Sequence, residues 1–91
     1  MTTVKFTNHL VRYFPKLENP TTASGTTVAA ILDELNGRYP GLADYLVDEN
    51  GRLRRHVNIF INKELIKDRQ TLSDPVSPSD QLHIFQALSG G

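Results

Sequence analysis

The sequence has no cysteine, no long apolar run and no excess of either charge. The missing thiols exclude disulfides, thiolate metal sites, iron–sulfur clusters and thiol catalysis. Ten basic residues balance ten acidic ones, whereas a protein that binds nucleic acid or a membrane surface would carry a basic excess. No apolar run approaches the ~18 residues of a membrane span, and the first residues form no apolar signal core. We therefore expect a cytoplasmic protein that binds neither nucleic acid nor membrane.

Patterns typical of metal sites and of acid–base catalysis are also missing. The three histidines, His9, His56 and His83, lack the spacing of metal ligands. Asp33 and Glu34 are neighbours in sequence, but nothing indicates that they share a cleft. The sequence thus predicts no catalytic residue and no metal ligand.

The 91 residues are enough for one domain with a single core. Three segments alternate apolar and polar residues and are predicted to be strands, residues 2–8, 56–62 and 81–86. Residues 21–25 predict a weaker strand, which an irregular hairpin connection over residues 9–20 joins to the first.

The clearest helix is predicted to begin after an N-cap at Thr26 and to end before Pro40. Its apolar residues follow a spacing of i, i+3, i+4, i+7 and i+11, and they are Val28, Ile31, Leu32, Leu35 and Tyr39. Gly37 is a candidate early C-cap. Residues 41–47 predict one further irregular helical turn that buries two leucines.

The predicted order of elements is strand, weak strand, helix, strand, connection, strand. One amphipathic helix must cover one face of a mixed sheet, so the fold class is α+β and the architecture is the β-grasp, or ubiquitin-like, fold. In the connection at residues 65–74, Leu65, Ile66 and Leu72 are predicted to be buried anchors. The β-grasp domain is predicted to occupy residues 1–86, and a flexible tail residues 87–91.

The last two residues of the sequence, Gly90 and Gly91, are the most informative about function. A tail that threads a narrow channel into another protein's active site cannot carry side chains, and glycine accepts backbone angles closed to other residues. The terminal carboxylate would then be the reacting group, able to attack the α-phosphate of ATP and form an acyl adenylate. The sequence contains neither a Gly-x-x-x-x-Gly-Lys-Ser/Thr nor a Gly-x-Gly-x-x-Gly motif, so a partner must bind that ATP.

Over most of its length, from Val4 to Gly91, the chain resembles the MoaD/ThiS-like family of ubiquitin-like sulfur carriers. This family includes the small subunit of molybdopterin synthase and the sulfur carriers of thiamine and cysteine synthesis. Three segments carry the resemblance: Thr27 to Leu35 with the following Tyr39-Pro40-Gly41-Leu42, Leu53 to Asn62, and Ser79 to Phe85 leading to the final Gly90-Gly91.

The resemblance implies that Gly91 becomes a thiocarboxylate. An E1-like enzyme would adenylate its carboxylate with ATP, sulfur from a donor would replace AMP, and an acceptor enzyme would take the sulfur. Leu88, Ser89 and Gly90 would form the tail that reaches the partner's active site. The protein would be a co-substrate rather than an enzyme and would bind no cofactor itself. The motifs leave open whether it serves molybdopterin, thiamine or cysteine biosynthesis.

Two groups of residues are predicted to dock the partner. Phe60 and Phe85 point away from the helix-covered face, and exposed aromatic patches mark binding surfaces. Since their strands are neighbours in a β-grasp, the rings could pair across strands. Alternatively, the connection at 9–20 folds over them. Arg54 and Arg55, in a short basic cluster, could meet an acidic partner surface.

Two other functions remain open at this point. A ubiquitin-like modifier would use Gly91 to form isopeptide bonds with lysines of other proteins, after the same first activation step. A β-grasp interaction module would carry Gly90 and Gly91 as an inert tail.

Overall fold

Five strands and three helices lie along residues 1–86, the part of the chain that the structure, a computed structural model, describes. In chain order they are β1 (Thr2–Phe6), α1 (Asn8–Tyr13), β2 (Thr21–Ala23), α2 (Val28–Arg38), α3 (Leu42–Leu46), β3 (Val57–Ile61), β4 (Glu64–Leu65) and β5 (Gln81–Gln86). The predicted tail, residues 87–91, lies outside the described residues.

The strands form one mixed sheet in the order β2-β1-β5-β3-β4. The two central neighbours β1 and β5 run parallel, with Val4 opposite Leu82, and the other pairs are antiparallel. In the β3–β5 pair, Ile59 lies directly opposite Ile84. This topology, with one main helix, confirms the predicted β-grasp fold.

The core lies between α2 and one face of the sheet. From α2 it receives Val28, Ile31, Leu32 and Leu35, all of which are buried. From the sheet it receives Val4, Phe6, Val57, Ile59, Leu82 and Ile84. The alternation in residues 2–8, 56–62 and 81–86 predicts that these strand side chains and Ile61 share one buried face, and Ile61, the last residue of β3, is half-buried. Each large apolar side chain removed from water stabilises the fold by about 1.5–3 kcal/mol.

The ends of α2 differ from the prediction. Its N-cap is Thr27 rather than Thr26, because the Thr27 hydroxyl accepts a hydrogen bond from the amide of Ala30 at 3.1 Å. The carbonyl of Thr26 instead accepts the amide of Val76 from a distant loop. The predicted early C-cap at Gly37 is wrong as well, since the helix runs through it to Arg38.

Both predicted connections contain regular structure. The connection at residues 9–20 begins with α1, which is helical because its Leu10 is then fully buried in the core. The connection at 65–74 overlaps β4, which pairs with β3. Leu65 is not an anchor, as its side chain is 53% exposed, whereas Ile66 and Leu72 are buried as predicted.

Two charged residues of α2, Arg38 and Glu34, form hydrogen bonds with the backbone at the outer edge of β2. Arg38 donates to the carbonyl of Thr22 at 2.6 Å, and Glu34 accepts the amide of Ser24 at 2.9 Å. Arg38 and Glu34 also form an ion pair at 2.7 Å. The carbonyl of Thr22 belongs to an edge strand and is a group that an added strand would bond, so Arg38 protects this edge.

Candidate partner-docking site

Strand β5 is the part of the described structure that leads to the predicted reactive tail. The four tail residues named from the sequence, Leu88, Ser89, Gly90 and Gly91, lie outside the described residues. The geometry that bears on function is therefore that of β5 and its neighbours, up to Gln86.

Phe60 of β3 and Phe85 of β5 lie together on the sheet face opposite α2. Phe60 is directly opposite His83 and Phe85 is opposite Asn58, so the two phenylalanines are diagonal neighbours. Their ring centroids are 5.4 Å apart and the rings are nearly perpendicular, at 86°. This edge-to-face geometry is favourable for aromatic pairs. The predicted cross-strand pair is present, and Phe85 still exposes 45% of its surface.

The pair borders an open depression of about 510 Å³. Its lining residues are Asn58, Phe60, Asn62, Lys63, His83 and Phe85. The His83 ring lies 6.0 Å from that of Phe85. The depression therefore combines two apolar rings with amide, imidazole and ammonium groups, as is typical of protein-binding surfaces.

The alternative interpretation, in which residues 9–20 cover the phenylalanines, is wrong. Tyr13 and Phe14 pack on Tyr45 of α3, with ring centroids 5.0 and 5.9 Å away. Because α3 packs beside α2, both rings lie on the helix side of the sheet. Phe60 and Phe85 consequently stay accessible.

Leu65 adds a third apolar side chain beside Phe60 and Phe85, and no sequence pattern pointed to this role. It lies opposite Phe60 in the β3–β4 pair and shares its outward orientation. The turn before it is tight, since Asn62 adopts a positive φ of 58°. A strand predicted directly after the turn at Asn62-Lys63 would have indicated that Leu65 lies on the outer face. We call Phe60, Leu65 and Phe85 the apolar patch.

The structure does not place the predicted docking arginines in the depression. The Arg54 guanidinium donates to the carbonyl of Asp44 at 3.1 and 3.3 Å, which ties the segment before β3 to α3. Arg55 is exposed, and neither residue is among those that line the depression. Their role in docking stays a prediction.

A different arginine, Arg69, reaches the outer face. It donates to the side-chain oxygen of Asn58 at 3.1 Å, and to the carbonyls of Arg54 and Val57 at 2.8 and 2.9 Å. Asn58 is the register partner of Phe85, so Arg69 brings a positive charge beside the patch. No sequence pattern pointed to Arg69, because it acts from a loop eleven residues after Asn58.

The end of β5 is anchored on its other face. The side chain of Gln86 is buried, and its backbone pairs with Val57. Gln86 and Tyr13 both hydrogen bond the hydroxyl of Tyr45. Burial, together with the bond to Tyr13, raises the pKa of Tyr45 above its usual value. The last described residue before the tail is thus paired with β3 through its backbone and packed into the domain, and its buried side-chain oxygen has no hydrogen-bond partner among residues 1–86.

Neither a metal-binding group nor a membrane-spanning helix is found among the described residues. No group of three or more histidine, aspartate or glutamate side chains in residues 1–86 could hold a metal ion. None of the helices in this range is long and apolar enough to cross a membrane. What the described surface offers is an exposed, partly aromatic face beside the strand that leads to the tail.

The chain as a whole is similar to one protein family and to several named proteins. Residues 4–91 match the ThiS family. The sulfur carrier protein CysO of Mycobacterium tuberculosis is 34% identical over 71 residues, which cover 76% of each chain. Small archaeal modifier protein 1 of Haloferax volcanii is 32% identical over 65 residues, covering 71% of this chain and 70% of the other. In a crystal structure of the BexX/CysO complex of Amycolatopsis orientalis, one chain superposes with a TM-score of 0.84 at 30% identity, with both chains covered completely.

Proposed function

The chain belongs to the ThiS family, and on that premise we propose that it is a sulfur carrier whose Gly91 is activated and thiolated by partner enzymes. The observation that carries this proposal is the extent of the family match, which runs from residue 4 through Gly91 and so includes the terminal Gly-Gly. The 34% identity with a sulfur carrier supports the same function.

In the proposed reaction, the chain supplies only a carboxylate. An oxygen of the Gly91 carboxylate attacks the α-phosphorus of ATP on an E1-like enzyme, and pyrophosphate leaves. A sulfide-level sulfur nucleophile such as hydrosulfide, supplied by a donor, then attacks the acyl carbon; AMP leaves with the C–O bond that breaks, a proton is released, and the thiocarboxylate remains. An acceptor enzyme takes that sulfur. The ATP is held by the E1-like enzyme.

The apolar patch is the proposed docking surface for that enzyme. Phe60 and Phe85 are part of the sheet rather than of a loop, so the surface is preorganised and loses little entropy on binding. Aromatic side chains, phenylalanine included, are enriched in the buried centres of protein interfaces. The patch also lies on the strand that continues into the tail, so docking and tail insertion are coupled by chain connectivity.

The first test is ATP–pyrophosphate exchange by the cognate activating enzyme. Deleting Gly91 should abolish exchange while leaving binding within a few-fold. The new terminus at Gly90 falls short by up to ~3.6 Å of chain, whereas reacting atoms must approach within about 3–3.5 Å. Normal exchange by the deleted protein would contradict the proposal and exclude the modifier as well.

A second test concerns the patch. Phe60→Ala with Phe85→Ala should raise the carrier concentration needed for half-maximal exchange by at least ~10-fold, since losing one binding hot spot costs about 2 kcal/mol or more. Asp33→Ala is the control, because Asp33 is an exposed residue of α2, on the helix side of the sheet. If the control weakens exchange as much as the double variant, the docking surface has been assigned to the wrong face.

The second candidate function is a ubiquitin-like modifier. The observation that favours it is the 32% identity with small archaeal modifier protein 1. Intact mass spectrometry of protein from the native host separates the two functions. A carrier should show one terminal oxygen replaced by sulfur, whereas a modifier should appear in conjugates of higher mass that disappear when Gly91 is deleted. If the protein is an interaction module with an inert tail, neither the thiocarboxylate nor the conjugates should be found.

A further inference from the structure

The sheet face that carries the apolar patch has no carboxylate among its outward-facing strand residues. The register places nine side chains on this face: Thr3 and Lys5 of β1, Thr22 of β2, Asn58 and Phe60 of β3, Leu65 of β4, and Gln81, His83 and Phe85 of β5. Lys5 is the charged residue in this set. The one carboxylate in the five strands, Glu64, is opposite Ile61, whose side chain faces the core.

Three cations surround the patch. Lys5 lies opposite His83, Lys63 lines the depression, and Arg69 is bonded to Asn58. The chain as a whole has no net charge, and its ten acidic residues all lie outside the nine outward-facing strand positions. Examples are Asp33 on α2 and Asp44 on α3, both exposed.

Asp80 is a carboxylate at one end of this sheet face, directly before β5. Its carboxylate accepts a hydrogen bond from the side-chain amide of Asn62 at 3.0 Å and another from the amide of Ser77. It precedes the first residue of β5, at the opposite end of the strand from Gln86. Among the described strand residues on this outer face, none between the patch and the tail carries a carboxylate.

We propose that the activating enzyme receives this face with an acidic surface, whose carboxylates pair with Lys5, Lys63 and Arg69 around an apolar pocket for the patch. This inference rests on the proposed function and adds the chemistry of the partner. Charges at the rim of an interface act chiefly on the association rate and on orientation, while the buried rings provide the affinity. The uneven distribution of charge would thus orient the protein, which has no net charge, so that its tail side meets the enzyme.

The experiment measures association and dissociation rates between the carrier and its activating enzyme by stopped-flow fluorescence. The test variant is Lys5→Glu with Lys63→Glu. The matched control is Arg12→Glu with Lys16→Glu, because both are exposed cations outside this face and their reversal changes the net charge equally. Circular dichroism checks that both variants are folded.

At low salt, the test variant should associate at least ~10-fold more slowly than wild type, with a dissociation rate within ~3-fold. The control should associate within ~2-fold of wild type, because its charges lie away from the interface. The difference between test variant and wild type should shrink near 0.5 M salt, where screening lengths fall to about 4–5 Å. Equal slowing of both variants, or no slowing of the test variant, would overturn the inference.

Pyrophosphate exchange distinguishes this inference from the proposed function. At saturating carrier, the control variant Arg12→Glu with Lys16→Glu should reach the wild-type maximal rate, because its changes lie outside the docking face. If wild type itself supports no exchange, the proposed function fails. If wild type supports exchange but charge reversal leaves association unchanged, only the acidic-partner inference fails.

Discussion

Gly25 and Gly37 should respond in opposite directions to the same added methyl group. Gly25 lies in the loop before α2, and a Cβ built there would be 2.8 Å from the amide nitrogen of Ile31 and 2.9 Å from the carbonyl carbon of Ala30. Both atoms belong to the backbone of α2, so the loop or the helix would have to shift. A Cβ at Gly37, within α2, would have no atom within 4 Å apart from its chain neighbours and the nearby backbone of its own helix.

The expected magnitudes follow from these contacts. Gly25→Ala forces extra volume into a closely packed place, which costs about 1–3 kcal/mol in the free energy of unfolding. The loop has little room to yield, because Glu34 accepts the amides of both Ser24 and Gly25. Gly37→Ala should stabilise the protein by about 0.8–1 kcal/mol, since alanine restricts the unfolded chain and favours helix.

Thermal and urea unfolding followed by circular dichroism would measure both effects. For a domain of this size, 1 kcal/mol shifts the Tm by roughly 4–8 °C, so the two variants should lie on opposite sides of wild type. The urea m-value should stay constant if only stability changes. A Gly25→Ala protein as stable as wild type would refute the close packing of loop and helix, and Gly37→Ala controls for a general effect of the methyl group.

Three further outcomes are expected. Ile59→Ala should lower the free energy of unfolding by about 2–5 kcal/mol, measured by urea titration, because Ile59 is fully buried; a loss below 1 kcal/mol would place it outside the core. Arg38→Ala should expose the edge of β2 and produce concentration-dependent self-association in analytical ultracentrifugation, and a strictly monomeric variant at high concentration would contradict the edge-protection argument. Backbone N–H donors lower the pKa values of Asp48 and Asp80 in the folded protein. The unfolded chain therefore binds more protons, and this contribution to stability is present above pH ~4 and lost as the pH falls further. Urea midpoints should thus decrease below pH ~4, and midpoints that rise there would have the wrong sign.

Local periodicity was sufficient to predict the helix α2, the strands β1, β3 and β5, and most of the core. Such patterns are readable because a buried face repeats every 3.6 residues in a helix and every 2 in a strand. The same alternation predicted that Phe60 and Phe85 face away from the core. It could not locate α1 or β4, which are short and owe their existence to contacts with the rest of the domain, such as the burial of Leu10.

The Gly-Gly at the end of the sequence was sufficient to suggest the chemistry, because a carboxylate without neighbouring side chains needs no folded context to be recognised. The surroundings of the patch needed the tertiary structure. Lys5 lies beside His83 only because β1 and β5, at opposite ends of the sequence, pair in parallel. Arg69 lies beside the patch only because a loop folds back on Asn58. Which charged side chains share a surface depends on which segments are neighbours in the fold. The order of the strands depends on packing between segments far apart in the sequence, and no local pattern contains that information.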